Sequence, residues 1–449
     1  MFARLLILWV RVRDSLWFLP GLLTLAGAIL AMAVTEVERA GFIAAAASDS
    51  WLFSGGVEGA RGVLGAIAGG LITVTGVVFS VTIVALQLAS SQFTPRVLRD
   101  FTADRGNQLV LGVFIGTFTY TLLVLRTVRS ATGQDDVFVP RLGVAIALGL
   151  VLVSIGFLIY FIDHSARSIQ VSSILDGVTR RTLRDVQRLF PDQIGEEDDS
   201  DAPDPRRPDV PGHAVTAATS GYLQAVDGDA LLKEGERNDL VIAMEPQIGR
   251  YILAGQPLAI VWPPDRLDDE VIRHVRTAFV IGPERTPEQD IEFGIIEVSD
   301  IAVKALSPGI NDPTTAFHCI DHLAQILLEL GTRRAPEPVR SQRGRAHFIA
   351  RSPTFERAVG LAYDQILHFG ADNPAVVKKL LESLTALADL LPPRRRSALA
   401  AAARAVLRSA RTSLQDAGEL ASVEKLAGRL ATGERSPHSA PGVTGLEPP

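Results

Sequence analysis

Four long runs of uncharged, largely apolar residues dominate the first third of the chain, at about 15–35, 64–88, 106–125 and 142–162. A bilayer core is crossed by about 20 helical residues, so each run predicts a transmembrane helix. The second run is the longest, because no Asp, Glu, Lys or Arg occurs between Arg61 and Arg96. Wound at about 100° per residue, Gly62, Gly69, Thr73, Gly76, Ser80, Gln87 and Ser91 fall on one narrow face of that run. Small side chains let helix backbones approach, so packing is the preferred reading of this stripe, with a wet path as the other. The third run carries a second small-residue pair, Gly112 and Gly116, with Thr119 on the same side. It predicts close helix packing.

Beyond the spans the pattern changes twice. Ile169, Ile174, Val178, Leu183 and Val186 recur at helical spacing, predicting a connecting helix over 163–190. The segment 191–212 is crowded with acidic residues and prolines and reads as a linker. Short apolar runs broken by turn residues follow, at Gly221-Tyr222-Leu223, Leu240 to Ala243, Tyr251 to Leu253 and Pro257 to Trp262. They predict a small β unit over 213–264. Its phrase from Gly249 to Leu258 resembles strand-turn-strand segments of biotinyl/lipoyl-like barrel sandwiches. Those carriers modify a hairpin-tip lysine, whereas Lys233 lies in a helix-like stretch, which argues against a carrier role. Residues 265–432 read as a helical domain, with helices near 355–370, 374–391 and 397–430 and a basic connection over 331–351. The fold expected is thus a mainly α membrane protein, with four spans over 15–162 and then a cytosolic region of a β barrel-sandwich-like unit and a helical subdomain. The ends are an amphipathic segment at 1–14 and a Pro-, Ser- and Gly-rich tail at 433–449, expected to be disordered.

Charge sets the orientation. Arg4, Arg11 and Arg13, then Arg96, Arg99 and Arg105, then Arg167, Arg180, Arg181 and Arg184 mark one side, while Glu36, Glu38, Asp49, Glu58, Asp135 and Asp136 mark the other. The positive-inside rule places both termini in the cytoplasm. Ala31-Met32-Ala33 imitates a signal-peptide cleavage site, but the first apolar run is too long for a usual signal core. With 449 residues, 47% of them hydrophobic, and a net charge of −6, the chain has room for a separate soluble core. This balance gives no reason to expect nucleic acid as a partner. Cys319 is the single cysteine, so neither an intrachain disulfide nor a thiolate cluster can form.

Candidate chemistry is sparse. Thr286-Pro287-Glu288-Gln289 predicts a helix start, Ser307-Pro308-Gly309 a stop, and Asp312-Pro313 a restart. The resulting corner gathers Asp300, Lys304, Ser307, Asn311 and Asp312, where a small ligand or ion can bind, although a plain capped turn is the preferred reading. His318 and His322 have the spacing for one metal, with Asp321 alongside, but two ligands do not make a site. Asp163-His164 ends the fourth span, where a titrating group can act as a proton-coupled switch. No HExxH, P-loop, GxGxxG or GxSxG motif is present, so no catalytic residue, cofactor or metal is expected.

Trp51-Leu52-Phe53-Ser54-Gly55-Gly56, Gly76-Val77-Val78-Phe79-Ser80, Gln87 through Arg96, Arg285-Thr286-Pro287 and Ser307 through Pro313 together resemble a bacterial predicted membrane-protein family catalogued as domain of unknown function 2254. The resemblance implies an integral membrane location and carries no activity, substrate or catalytic residue. The leading expectation is a non-enzymatic homo-oligomer of the bacterial inner membrane, in contact with lipid. Its stripe of Gly69, Thr73, Gly76, Ser80, Gln87 and Ser91 would form an interface or conduit, and its cytosolic part would respond to a ligand or to membrane state. The alternative is a cytosolic binding or scaffold module anchored by four spans. A membrane enzyme using His318 or the corner carboxylates is the third.

Overall fold

The computed structural model describes residues 15–40, 55–92, 104–129, 138–168, 170–190, 208, 210–335, 339–342 and 345–432. The expected amphipathic segment at 1–14, most of the acidic linker, the tail at 433–449, and the motif residues Trp51 to Ser54 and Phe93 to Arg96 lie outside them. Two compact units divide between Ser173 and Ile174.

The N-terminal unit holds α1 (Phe18–Arg39), α2 (Val57–Gln92), α3 (Arg105–Thr127) and α4 (Arg141–Ser168). All four are long and apolar enough to cross a membrane, as the uncharged runs require. The central helix is α3, which packs against the other three. Over its most apolar stretch 56% is buried, against 22% in each of the others. The longest uncharged run, α2, is thus not the most buried one. Glycines explain the difference: Cβ atoms placed at Gly112 and Gly116 would run into Pro20 and Leu23 of α1, and one at Gly27 would run into Gly116. Bare backbone is what lets α1 and α3 meet this closely. Around α3, Leu71, Val78, Val110, Leu111, Phe114 and Phe161 form one apolar cluster. Leu64, Tyr120, Val124, Val144 and Ala147 belong to a second.

Polar groups tie the helix ends. The first turn of α4 has orphan N–H groups, and Glu38 at the end of α1 accepts from Leu142 N at 2.7 Å and Gly143 N at 3.2 Å. Tyr120 donates its hydroxyl to Gly143 O at 3.1 Å. The start of α3 is capped by Asp104, which accepts from Gly106 N at 2.8 Å.

The C-terminal unit mixes two sheets with helices. A separate helix α5 (Val171–Leu189) follows α4, then come β1 (His213–Thr216), β2 (Gly221–Val226), α6 (Gly228–Asn238), β3 (Val241–Met244), β4 (Tyr251–Ile252) and β5 (Pro257–Trp262). Next are α7 (Asp269–Thr277), β6 (Phe279–Gly282), α8 (Ile291–Ala305), α9 (Pro313–Gly331), β7 (Val339–Gln342) and β8 (Arg345–Ile349). The chain continues as α10 (Phe355–Gly370), α11 (Pro374–Leu390), α12 (Arg396–Ser413) and α13 (Ala417–Thr432).

One sheet has the order β1-β5-β3-β8-β7 and the other β4-β2-β6. A closed barrel is not seen among the described residues, because the two strands of the barrel-like phrase part company. β4 pairs with β2, while β5 pairs with β1 and β3. The basic connection holds two strands, β7 and β8, which pair antiparallel, and β8 lies parallel to β3. Val215, Leu223, Ile242, Leu258, Val261, Phe279 and Phe348 share the core of this β part.

In the helical part α8 is the buried axis, packed by α9 on one side and α10 on another. Its apolar residues Ile291, Phe293, Ile295, Val298, Ile301 and Ala302 are buried, and so are its charged residues Glu292 and Glu297. The helix starts later than Thr286-Pro287 predicts. Asp290 caps it, accepting from Phe293 N at 3.2 Å. Gln289 is drawn away to β2, accepting from Val226 N at 3.0 Å and donating to Val226 O at 3.3 Å. The predicted helix at 397–430 is likewise two helices. Asp416 accepts from Glu419 N at 2.8 Å, so a fresh cap interrupts the run.

Candidate functional site

The corner between α8 and α9 is a tightly hydrogen-bonded turn. Ser307 donates its hydroxyl to Lys304 O at 2.6 Å, and its own carbonyl accepts from Asn311 N at 2.9 Å. Asn311 takes φ +50°, a left-handed conformation that Asn tolerates better than most residues. Asp312 then caps α9, accepting from Thr315 N at 3.1 Å and from the Thr315 hydroxyl at 2.6 Å. Those bonds, the hydroxyl foremost, hold its carboxyl below the usual carboxylate value. Four of the five residues proposed for this corner are thus accounted for along one turn, and Asp300 belongs elsewhere.

Because a lowered carboxylate contributes stability above its unfolded value and loses it as pH falls through the folded one, the cap has a definite pH signature. Asp312→Ala is expected to cost about 1 kcal/mol at pH 7. Melting curves of the two proteins should converge when the pH is taken below the carboxylate range, and a gap that persists there would contradict the assignment.

Asp300 lines a cleft of about 670 Å³ between α8 and α10. Ile296 and Ser299 join it from α8, and Thr354, Glu356, Arg357, Gly360, Leu361, Asp364 and Gln365 from the facing segment. Glu356, Asp364 and Gln365 are exposed, whereas Ser299 is 3% exposed and its Oγ has no hydrogen-bond partner. Arg357 donates from Nε to Glu292 at 2.6 Å.

That bond belongs to a buried charge network at the start of α8. Arg285 grips Asp290 with two hydrogen bonds, Nε to Oδ2 at 2.5 Å and Nη2 to Oδ1 at 3.0 Å, and lies 3.7 Å from Glu292. Gly249 passes so close, at φ +82°, that a Cβ there would strike Asp290 and Arg285. Glu297, buried further along α8, is paired with Arg181 of α5. Burial pushes the Asp290 carboxyl up from its usual value, against the pull of Arg285.

The histidines also find partners. His322 Nδ1 lies 2.9 Å from the Thr179 hydroxyl and Nε2 lies 3.7 Å from Asp176, so it joins α9 to α5. His318 is exposed. No group of three or more His, Cys, Asp or Glu among the described residues is placed to hold a metal ion. In the membrane unit His164 Nε2 lies 2.6 Å from Asp104 and its ring stacks on Tyr160 at 5.2 Å, while Asp163 pairs with Arg167 at 2.9 Å. Cys319 is fully buried, and desolvation pushes its thiol well above the usual value.

The sequence stripe on α2 is exposed. Gly69, Thr73, Gly76, Ser80 and Gln87 lie outside, opposite the buried Leu64, Ala68, Leu71, Val78 and Ala85.

Four apolar helices followed by this mixed unit match, over residues 13–386, the family described as Predicted membrane protein (DUF2254). The chain belongs to this family. The chain is also similar to two curated proteins: the uncharacterized protein Rv1290c of Mycobacterium tuberculosis and the uncharacterized protein Mb1321c of Mycobacterium bovis are each 35% identical over 432 residues. The match covers 93% of this chain and 80% of each relative. No solved structure matches the chain. As a DUF2254 member, the protein is a multi-pass membrane protein.

Proposed function

We propose that this protein lies in the bacterial inner membrane with both termini and the C-terminal unit in the cytoplasm, and that copies associate through the uncovered face of α2. The observation that carries this reading is the exposure of Gly69, Thr73, Gly76, Ser80 and Gln87 on a helix long and apolar enough to span a bilayer. No atom lies within 4 Å of a Cβ placed at Gly62, Gly65, Gly69 or Gly76. Lipid tails give such a face little to pack against, and polar groups such as the Gln87 amide are costly in hydrocarbon. A second α2 would meet both needs. The four-helix unit itself is filled by Val110, Phe114, Tyr120 and Val144, all buried, so a conduit would have to run between copies. In this reading the C-terminal unit senses a ligand or the state of the membrane.

Single cysteines at Gly69 and Gly76, in a Cys319→Ser background, should form disulfide-linked dimers when membranes are oxidised. A cysteine at the buried Leu71 should not. Monomers at all three positions would sink the association. Exposed Tyr251, changed to Cys, should react with an impermeant maleimide in inverted vesicles and not in intact spheroplasts, which fixes the orientation. A second reading, a ligand-binding module anchored by the spans, is favoured by the α8/α10 cleft.

A further inference from the structure

We propose that the arginine face of α12 is the docking surface for this chain's own acidic segment, the residues from Asp192 to Asp204. α12 carries Arg396, Arg404, Arg408 and Arg411 and no Asp or Glu. Its buried residues Ala398, Leu399, Ala403, Val406 and Ala410 fix one side of the helix. At about 100° per residue, Arg404, Arg408 and Arg411 fall on the opposite side. Arg411 is paired with Glu424 at 2.9 Å. Arg396, Arg404 and Arg408 are exposed, and none of their guanidinium groups forms an ion pair among the described residues. A solvated surface needs no partner, but two further observations point to an anion at this one.

The first is the start of the helix. Arg395 stands at the cap position of α12 without a side-chain cap bond, and Arg394, Arg395 and Arg396 place three cations at the positive end of the helix dipole. Cations there oppose the dipole, and a carboxylate beside them relieves it. The second is that the chain delivers carboxylates to this place. After α5 ends, the carbonyl of Phe190 accepts from Arg333 Nη1 at 2.9 Å, and the carbonyl of Arg333 accepts from Arg395 Nη2 at 3.2 Å. Only Arg333 thus stands between the last residue before the acidic segment and the start of α12. From Asp192 to Asp204 the segment holds seven Asp and Glu and no Lys or Arg. The stretch from Pro191 to Glu196 reaches up to about 20 Å, and Arg396 to Arg408 covers about 18 Å along the helix. The acids can therefore lie along the whole face. A lipid surface would meet the same charge, but the acidic segment is joined to this place by the chain itself, which keeps it near the face at an effective concentration of about millimolar.

Arg404→Lys with Arg408→Lys keeps the charge and supplies amines to a zero-length carbodiimide, which joins an amine to a touching carboxylate as an amide and leaves as its urea. Full-length protein in detergent would be cross-linked in this way, and the monomer band mapped by mass spectrometry. Links to the carboxylates between Asp192 and Asp204 are expected, with a yield that falls about tenfold when NaCl is raised from about 0.01 M to about 1 M and the screening length shrinks from about 30 Å to about 3 Å. A fluorescent peptide of residues 191–205 would serve as a probe of the open face. It should bind a chain whose seven acids are changed to Asn or Gln about tenfold more tightly than the parent, and adding Arg404→Gln with Arg408→Gln to that chain should abolish binding while the melting temperature stays within a few degrees. Links confined to Glu419 and Glu424 of α13, or found in dimers alone, overturn the proposal. So does a peptide that binds the parent and the neutralised chain equally, or neither. Links that form in phosphatidylcholine nanodiscs and vanish in phosphatidylglycerol ones would assign the face to anionic lipid instead, and overturn it as well.

Discussion

Arg285→Met is expected to lower the melting temperature of the detergent-purified protein by about 10 °C, on the order of 3–5 kcal/mol, because it strands a buried carboxylate. The Asp290 side chain is 2% exposed and receives two hydrogen bonds from Arg285, which also lies 3.7 Å from the buried Glu292. Asp290 caps the central helix of its unit at the same time, so disorder at this point reaches α8 directly. Adding Asp290→Asn should recover part of the loss, since the neutral amide can still cap the helix and no longer needs a cation. The pH dependence has a definite sign. Burial already raises the Asp290 carboxyl, and losing its cation raises it further. A group raised in the fold is penalised when ionised, so the deficit of Arg285→Met should shrink as the pH is lowered from 8 toward 5.5. A deficit that ignores both pH and Asp290→Asn would mean that Arg285 acts through something other than this pair.

How much of this could be read from the sequence depends on the range of the interactions involved. The four spans were legible because hydrocarbon excludes charge, and an uncharged run carries that information by itself. The direction of the α2 stripe was legible too, as a shared face, but its exposure was not, since that depends on which helices pack on the opposite side. Gly112 and Gly116 held the clue to the central role of α3. The β part was read only as far as its local strands. β8 joins β3 from far along the chain, and nothing near Arg345 announces that pairing. Capping was half legible: Asp312 lies where its Pro313 neighbour implies, whereas Asp290 displaced Thr286 because a buried ion pair fixes it there. The cleft shows the same limit. Asp300 was singled out without the cleft it lines, and Ser299, Glu356, Gly360 and Asp364 were missed, because α8 and α10 meet only in three dimensions.

In the membrane unit the largest effect is expected from Gly116→Val. A Cβ at Gly116 would sit 2.8 Å from Leu23 O and 3.2 Å from Leu23 C, and neither is a side-chain atom that can rotate away. Valine adds two further methyls to that collision, so α1 must move off α3, at a cost on the order of 3 kcal/mol. The neighbouring positions leave no slack, because Gly112 approaches Pro20 and Leu23, and Gly27 approaches Gly116, just as closely. The glycines of α2 should respond in the reverse way. Gly69→Ala and Gly76→Ala meet no atom within 4 Å in their own chain and remove a poor helix former, so the melting temperature of the monomer should hold or rise slightly. Any loss they cause should appear instead in the yield of disulfide-linked dimers from cysteines elsewhere on the stripe. Melting of detergent-purified variants beside crosslinking in membranes separates the two kinds of glycine. If Gly116→Val melts with the parent, α1 and α3 are not in backbone contact. If Gly69→Ala and Gly76→Ala unfold the chain instead, the α2 stripe is covered by the protein's own helices and cannot be the meeting face of two copies.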